Sequence, residues 1–310
     1  MTNKTIRVLA ACIISIAFLL FFARNVGFDS WRNQLLDIRT STLFGAATLL
    51  VLSYVFRVVR LQVLLRIKSS VLVFHVTAVN YFLNRILPFR LGELSLPLLL
   101  RKELNIKLSI GTAVLIYMRL VDLIVMVFLF SMATVITIKA SMDVSVYLML
   151  MFQFLFLIVL FFYFNQGVSF FIRVLSPFKN MRKLCASLAE VELFINQLNA
   201  KVKVKVLLFT IANWLFVLAF YYCIILDMSI NLSYVESTFV SLLSSFTLIL
   251  PISGFANVGT FETGWAIGFK MLGISVQEAL PVGLFVNVFA TIITGLTVVI
   301  AWLNKLLFRK

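Results

Sequence analysis

Six long apolar runs are the feature that most limits what this chain can fold into. A helix that crosses a bilayer needs about 20 mostly apolar residues. The runs cover approximately Val8–Ala23, Leu43–Leu65, Leu108–Ile138, Val144–Phe164, Val206–Leu226 and Ala279–Leu303. Only 13% of the 310 residues are charged, which is about half the share found in soluble proteins. A water-facing surface cannot be built from so few charges, so the composition predicts an all-α polytopic membrane protein with six transmembrane helices.

Two further apolar stretches are interrupted and do not fit as simple spans. The first, residues 71–100, contains Pro88 and Pro97, and the second, residues 237–272, contains Pro251 and several glycines. Proline and glycine interrupt helices. Broken backbone at membrane depth is tolerated only where protein or a water-filled cavity covers it. We therefore predict two re-entrant hairpins whose broken tips lie inside the protein.

The distribution of positive charge predicts the orientation. The chain has 27 Lys and Arg against 12 Asp and Glu. If both termini are cytoplasmic and each hairpin returns to its own side, 17 of the positive residues face the cytoplasm and 5 face the outside. Because cytoplasmic loops carry an excess of Lys and Arg, we expect an integral inner or plasma membrane protein with this orientation. The same rule explains the net positive charge, so no nucleic-acid partner is predicted. The first run lacks a small-residue cleavage site, and we expect it to be retained.

The two interrupted stretches carry the same motifs in the same order, which indicates an internal repeat. The motifs of the first are Leu87-Pro88, Gly92-Glu93, Lys102–Ile106 and Arg119, and those of the second are Leu250-Pro251, Gly259–Glu262, Lys270–Ile274 and Asn287. The offset between them is 163 residues at the prolines, 169 at the glutamates and 168 from the lysines onward. Each half would hold three spans and one hairpin, and an odd number of spans turns the second half upside down.

The sequence thus predicts a single membrane domain, residues 1–310, built as an inverted-topology repeat of residues 1–142 and 143–310. Such repeats place substrate sites near the midplane, at segments interrupted by Gly or Pro. Within the second half, residues 179–201 carry apolar side chains at helical spacing with charges between them. This pattern predicts an amphipathic helix on the cytoplasmic surface.

Eight charged residues fall inside the predicted membrane region. On insertion scales each charge at a helix centre costs at least about 2.5–3.5 kcal/mol, so the group needs pairing, a wet cavity or an ionic ligand. We expect Arg60 to extend toward the interface. The other seven are candidate substrate-binding residues: Arg57, Arg85, Arg90, Glu93, Arg119, Asp122 and Glu262. Five arginines against three acids leave an excess of positive charge, and guanidinium groups bind phosphate bidentately. An anionic headgroup would complete the balance.

Structural roles remain open for the same side chains. Arg119 and Asp122 are three residues apart and share a helix face, so they can form a mutual or an inter-helix ion pair. Arg90 can pair with Glu93 and tie down the broken turn. Glu93 and Glu262 can cap their hairpins, or can carry a proton if a low-dielectric surrounding raises their pKa.

The motifs resemble those of a known family. The resemblance rests on Asn84, Leu87–Glu93, Arg119–Asp122, Pro251–Gly254 and Gly259–Glu262. These segments are similar to the flippase-like integral membrane family that includes the transmembrane domain of lysylphosphatidylglycerol synthases. The resemblance spans nearly the whole chain and implies movement of a lipid or polyprenyl-linked sugar across a membrane. Two departures are Leu94–Pro97, where the family often has an arginine, and Asn287, where an arginine is expected on the final span. No segment resembles the soluble aminoacyl-transferase domain, so lysyl-lipid synthesis is not predicted.

The sequence therefore predicts a transporter, not an enzyme. We expect a flippase that moves an anionic lipid or a polyprenyl-phosphate-linked sugar through a central charged cavity. Two alternatives are a membrane-embedded transferase with Glu93 or Glu262 as base, and a proton-coupled carrier of a small anion. A lateral opening would favour a lipid, and a sealed pocket would favour a small anion. A single His and unpaired Cys residues predict no metal and no cofactor. The expected partners are the lipid substrate and membrane lipids, and homo-oligomer formation is left open.

Overall fold

All regular structure in the described part of the chain is helical. The computed structural model describes residues 15–24, 26, 31–32, 36–137, 144–178, 181–228, 230–248 and 254–308. The helices are α1 (Ser15–Arg24), α2 (Thr40–Leu65), α3 (Ser70–Ile86), α4 (Ser95–Leu104), α5 (Leu108–Thr137), α6 (Val144–Leu175), α7 (Arg182–Asn196), α8 (Ala200–Asp227), α9 (Tyr234–Thr247), α10 (Thr260–Met271) and α11 (Val276–Phe308).

Four of these helices, α2, α5, α8 and α11, are long and apolar enough to cross a membrane. The chain is therefore an integral membrane protein, and these four helices match four of the six predicted spans. The predicted span Val144–Phe164 lies within α6, a helix of 32 residues. Several predicted features lie outside the described residues. They are residues 8–14 of the first predicted span, Lys4, Lys139, Pro251, Lys179 at the start of the predicted surface helix, and Lys310.

Two helix–break–helix units occupy the positions of the predicted hairpins. Hairpin 1 consists of α3, a short 3-10 segment Pro88–Leu94 that we name tip 1, and α4. Its two arms return to the same end, since His75 Nε2 near the start of α3 lies 4.0 Å from Glu103 Oε1 near the end of α4. Hairpin 2 consists of α9, a tip that includes Phe255–Asn257 (tip 2), and α10.

Both tips contain two consecutive residues with left-handed backbone. In tip 1 they are Phe89 (φ 54°) and Arg90 (φ 57°), and in tip 2 they are Ala256 (φ 51°) and Asn257 (φ 60°). None is glycine, so each conformation costs about 1–3 kcal/mol and persists only where the surroundings hold it. Gly92 shows how tightly tip 1 is held, because a Cβ there would lie 2.3 Å from the Leu83 carbonyl oxygen.

The hairpins approach each other from opposite ends of α11. At one end of α11, Lys305 Nζ lies 2.7 Å from Glu103 Oε2 at the base of hairpin 1. At the other end, only four residues separate the end of hairpin 2 at Met271 from the start of α11 at Val276. The tips meet between these two ends of α11. There Arg90 Nε of tip 1 donates to the carbonyl oxygen of Leu248, just after α9, at 2.5 Å.

Helices α2 and α8 run antiparallel over their whole length. Arg39 Nε lies 2.6 Å from Asp227 Oδ1 at one end of the pair. At the other end Arg66 Nη2 donates to the Gln197 carbonyl oxygen at 2.9 Å. Because α2 and α8 cross the centre of the molecule side by side, polar side chains of the two helices meet there.

A polar layer separates two apolar cores. One core surrounds hairpin 2 and includes Trp265 with the Tyr54 part of α2. The other surrounds hairpin 1 and includes Val58 and the following turns of α2. Between the two cores lie the buried polar residues Arg60, Asp122, Thr210 and Asn213. The fold thus places its polar groups at the level where the tips meet.

The predicted amphipathic helix is present as α7, and part of its apolar face packs on protein, whereas Leu184 on the same face is exposed. Val191 and Ile195 are buried in the core around hairpin 1. Glu190 accepts a hydrogen bond from Ser109 of α5, and Glu192 accepts one from Ser169 of α6. Helix α7 therefore packs on α5 and α6.

We expect Gly264→Ala to destabilise the protein, because α10 contacts α9 at this residue. An added Cβ would lie 2.4 Å from Ser244 Cα, so backbone must move, at a cost of about 1–3 kcal/mol. Gly45→Ala is the control, since its Cβ would meet only the Cys223 sulfur at 3.9 Å. Thermal unfolding in detergent should show a lower midpoint for Gly264→Ala alone. Equal midpoints would contradict the close packing of hairpin 2.

Candidate functional site

A cavity of about 300 Å³ lies in the polar layer beside the two tips. Six of the seven candidate residues line it: Arg57, Arg85, Arg90, Glu93, Arg119 and Asp122. The seventh, Glu262, is fully buried and does not line the cavity. The fold therefore brings together side chains from α2, α3, tip 1 and α5 that are far apart in the sequence.

Arg60 and Asp122 form a buried ion pair at the edge of the cavity. Arg60 Nη1 lies 2.5 Å from Asp122 Oδ1, and the Arg60 side chain has no exposed surface. The same nitrogen donates to Thr210 Oγ1 of α8 at 3.0 Å. The expectation that Arg60 extends to the interface is wrong, because its Nη groups bind a carboxylate and a hydroxyl inside the protein. Asp122 thus pairs between helices and not with Arg119.

Glu93 is shared by two arginines at the cavity wall. Its Oε1 lies 3.0 Å from Arg90 Nη1 and 3.3 Å from Arg119 Nη2. The pairing of Arg90 with Glu93 across the broken turn is one of the roles that the sequence left open. The additional contact with Arg119 ties tip 1 to α5, so one carboxylate neutralises only part of the local positive charge.

Arg57 is held without a carboxylate. Its Nε donates to Asn213 Oδ1 of α8 at 2.6 Å. Its guanidinium carbon lies 3.9 Å from the centre of the Tyr81 ring and 5.3 Å from that of Tyr54, a cation–π arrangement. Among the described residues Arg57 has no ion pair with an acid. Its positive charge therefore remains uncompensated within the described part of the protein.

A chain of directed hydrogen bonds links Arg85 to Glu262. Arg85 Nη1 donates to Asn287 Oδ1 at 2.9 Å. Asn287 Nδ2 donates to Glu262 Oε1 at 2.9 Å and to the Ala256 carbonyl oxygen at 2.9 Å. The Gly259 amide donates to Glu262 Oε2 at 2.7 Å. Both carboxylate oxygens are engaged at the start of α10, so Glu262 has the capping role that the sequence left open.

Asn287 holds Arg85 in a fixed orientation. Its amide cannot turn over, because its oxygen accepts from Arg85 while its nitrogen donates to two oxygens. No ion pair joins Arg85 to any described acid within 4.0 Å. Arg85 is therefore a second arginine at the cavity wall whose charge no adjacent carboxylate neutralises.

The cavity is positively charged and open on one side. Its lining has four arginines against Glu93 and Asp122, and Asp122 is also bound to Arg60. At the rim, the side chain of Arg119 is 38% exposed and that of Arg90 is 31% exposed. Arg119 lies near the middle of α5, so this part of the rim is exposed at mid-length of that helix. Fixed guanidinium groups in such a cavity suit a phosphate or another oxyanion. Within the described ranges, no cluster of three or more His, Cys, Asp or Glu could hold a metal.

Sequence reasoning missed several polar residues of this site. Tyr81, Asn213 and Ser245 line the cavity, and Asn287 positions Arg85. The signal that could have identified these residues is that each is a polar residue inside an apolar run. Asn213 follows Thr210 by three residues, which places both on one face of α8, yet neither carries a charge that would single it out.

The sequence also matches a known protein family. Residues 8–297 match the family model described as the lysylphosphatidylglycerol synthase TM region. A comparison with curated protein sequences finds no match. The matched range includes both hairpins and every charged residue of the cavity, which confirms the resemblance that the motifs indicated.

We expect Asp122→Asn to destabilise the fold strongly. The substitution leaves Arg60 charged and buried without its carboxylate, and breaking a buried ion pair in this way costs about 3–5 kcal/mol. The double variant Arg60→Met with Asp122→Leu removes both charges and should recover much of the loss. Thermal unfolding in detergent measures both. A single variant as stable as the wild type would contradict the pairing.

Proposed function

This chain belongs to the family of the lysylphosphatidylglycerol synthase TM region, and we propose that it is a flippase for an anionic lipid. The substrate would be a phospholipid or a polyprenyl-phosphate-linked sugar. The observation that carries the proposal is the pair Arg57 and Arg85, which line the cavity without an ion pair to a described acid. A headgroup phosphate would supply the negative charge that pairs with these two arginines.

In the proposed mechanism the headgroup crosses through the cavity while its hydrocarbon chains stay in the lipid. Arg57 and Arg85 would bind phosphate oxygens with their planar guanidinium forks. Arg90 and Arg119 are held by Glu93 and could exchange this carboxylate for phosphate as the tips move. Glu262 would act indirectly, as a positioning residue, because it contacts Asn287 and Asn287 contacts Arg85.

The exposed rim at Arg119 supports an opening between helices, which favours a lipid over the two alternatives. A carrier of a small soluble anion needs no opening between helices at mid-depth, whereas a lipid headgroup must enter from the bilayer. A membrane transferase would need a free base. Both oxygens of Glu262 already accept hydrogen bonds, and Glu93 is already paired with two arginines, so neither glutamate is a free base. The flippase therefore accounts for more of the geometry than either alternative.

We also propose the membrane arrangement that the sequence predicts: six crossings, two re-entrant hairpins and an inverted repeat. The left-handed residues support the repeat, because Phe89 and Ala256 are 167 residues apart, as are Arg90 and Asn257. Matching contacts support it too. Glu93 binds Arg119, and Glu262 binds Asn287, which stands at the position of Arg119 in the second half.

The proposed function predicts that Arg57→Lys and Arg85→Lys impair transport of an anionic lipid. Lysine keeps the charge but loses the fork. Loss of one charge-assisted hydrogen bond, about 1.5–3 kcal/mol, corresponds to a fall of about tenfold or more in affinity. The measurement is transbilayer movement of fluorescent phosphatidylglycerol in reconstituted vesicles, followed by bleaching of the outer leaflet. Unfolding is measured on the same preparations.

Arg66→Lys is the matched control for this experiment. Arg66 is exposed and lies outside the cavity, where it binds the Gln197 carbonyl oxygen. We expect this variant to transport normally. Normal transport by both cavity variants, or wild-type protein that moves no anionic lipid of either class, would contradict the proposal.

The proposed orientation predicts that both termini are protected from outside reagents. Single cysteines near Lys4 and Lys310, in a background without Cys12, Cys185 and Cys223, should react with a membrane-impermeant reagent only after the cells are opened. Labelling of one terminus in intact cells would rule out an even number of crossings.

A further inference from the structure

A second, apolar groove lies on the outer side of α2, against α3 and the end of α11. It has a volume of about 610 Å³ and does not share its lining with the charged cavity. Along α2 it extends from Val51 to Gln62, which is about 16 Å at 1.5 Å per residue. One leaflet of a bilayer has a hydrocarbon thickness of about 15 Å. The groove is therefore about as long as the hydrocarbon region of one leaflet.

The two ends of the groove differ in polarity. Its walls are apolar, with Val55 and Val58 of α2 and Phe74 of α3. The end toward the base of hairpin 1 carries uncharged hydrogen-bonding side chains, namely Gln62, Ser70 and Asn304. Such a gradient, apolar along the length and polar at one end, matches a lipid that stands upright in its leaflet.

Two features at the polar end favour an anion. Helix α3 begins there at Ser70, its N-cap residue Ser69 makes no side-chain cap hydrogen bond, and its first turn has no acidic residue. Lys68, just before it, is exposed. The N-terminus of a helix and a nearby lysine both favour a negative group such as phosphate.

A thin layer of side chains divides the groove from the charged cavity. Tyr54 lines the groove and donates through its hydroxyl to Thr294 Oγ1 at 2.8 Å. Arg57 and Tyr81 line the cavity on the other side, and the rings of Tyr54 and Tyr81 meet edge to face at 5.8 Å. A lipid in the groove would thus lie one side-chain layer from the cavity.

We propose that this groove binds one phospholipid of the leaflet that surrounds the base of hairpin 1. An acyl chain lies along α2, and the phosphate lies at the start of α3 beside Lys68. Recognition rests on chain length and on the phosphate, and it needs no net charge on the rest of the headgroup. The site stands whether or not the protein transports lipid, because it requires only a bilayer phospholipid.

The test uses reconstituted vesicles that contain phosphatidylglycerol with a photoactivatable group in one acyl chain. Cross-linked residues are mapped by mass spectrometry. We expect labelling to concentrate on groove residues of α2 and α11. Val55→Trp fills the groove and should lower this labelling several-fold. Val299→Trp is the matched control, because Val299 is similarly exposed, at 53% against 49%, and does not line the groove.

Two comparisons test the phosphate end. Lys68→Ala should weaken labelling by phosphatidylglycerol, whereas Lys102→Ala, an exposed lysine outside the groove, should not. Diacylglycerol with the same photoactivatable chain lacks the phosphate and should label the groove more weakly in the wild type. Labelling spread evenly over Val299 and the groove, or unchanged by Val55→Trp, would mean that only surface lipid is present and would overturn the proposal. Transport is measured separately, so its failure would leave this result intact.

Discussion

The high free energy of a charged side chain in an apolar interior governs the centre of this molecule. Arg60 has no exposed surface, so its charge requires an acid and further acceptors within reach. Asp122 of α5 and Thr210 of α8 supply them. One arginine thereby fixes α2 against α5 and α8, and this contact lies in the polar layer between the two apolar cores. The cavity lies at the same level, where polar side chains of several helices meet.

A related constraint applies to the backbone amide and carbonyl groups of the two tips. Broken helices leave amide and carbonyl groups that must be satisfied where no bulk water is present. Arg90 binds the carbonyl of Leu248, and Asn287 binds that of Ala256. Each of these side chains comes from an element other than the one whose carbonyl it binds, so the break in hairpin 2 is completed by tip 1 and α11. The left-handed residues persist because the opposing elements hold them.

The two glutamates that the proposed repeat places at matching positions have different environments. Glu93 stands at the cavity wall between Arg90 and Arg119. Glu262 is buried, caps α10 and reaches the cavity only through Asn287 and Arg85. This asymmetry follows from one residue. Where Arg119 brings a charge into the first half, Asn287 brings an amide into the second, and an amide relays a hydrogen bond where a guanidinium would neutralise the acid.

The sequence by itself determined the class, the four long spans, the positions of both interruptions and the family. These follow from apolar run length, from Pro and Gly, and from local motifs, all of which act within a few helical turns. It also identified the charged residues, six of which line one cavity. Only the tertiary structure decided which charges far apart in the sequence neutralise each other. Arg60 with Asp122, and Glu93 with Arg119, pair across 62 and 26 positions of the chain. Such pairing depends on how helices pack, and uncharged residues such as Asn213 and Asn287 acquire their roles only from that packing.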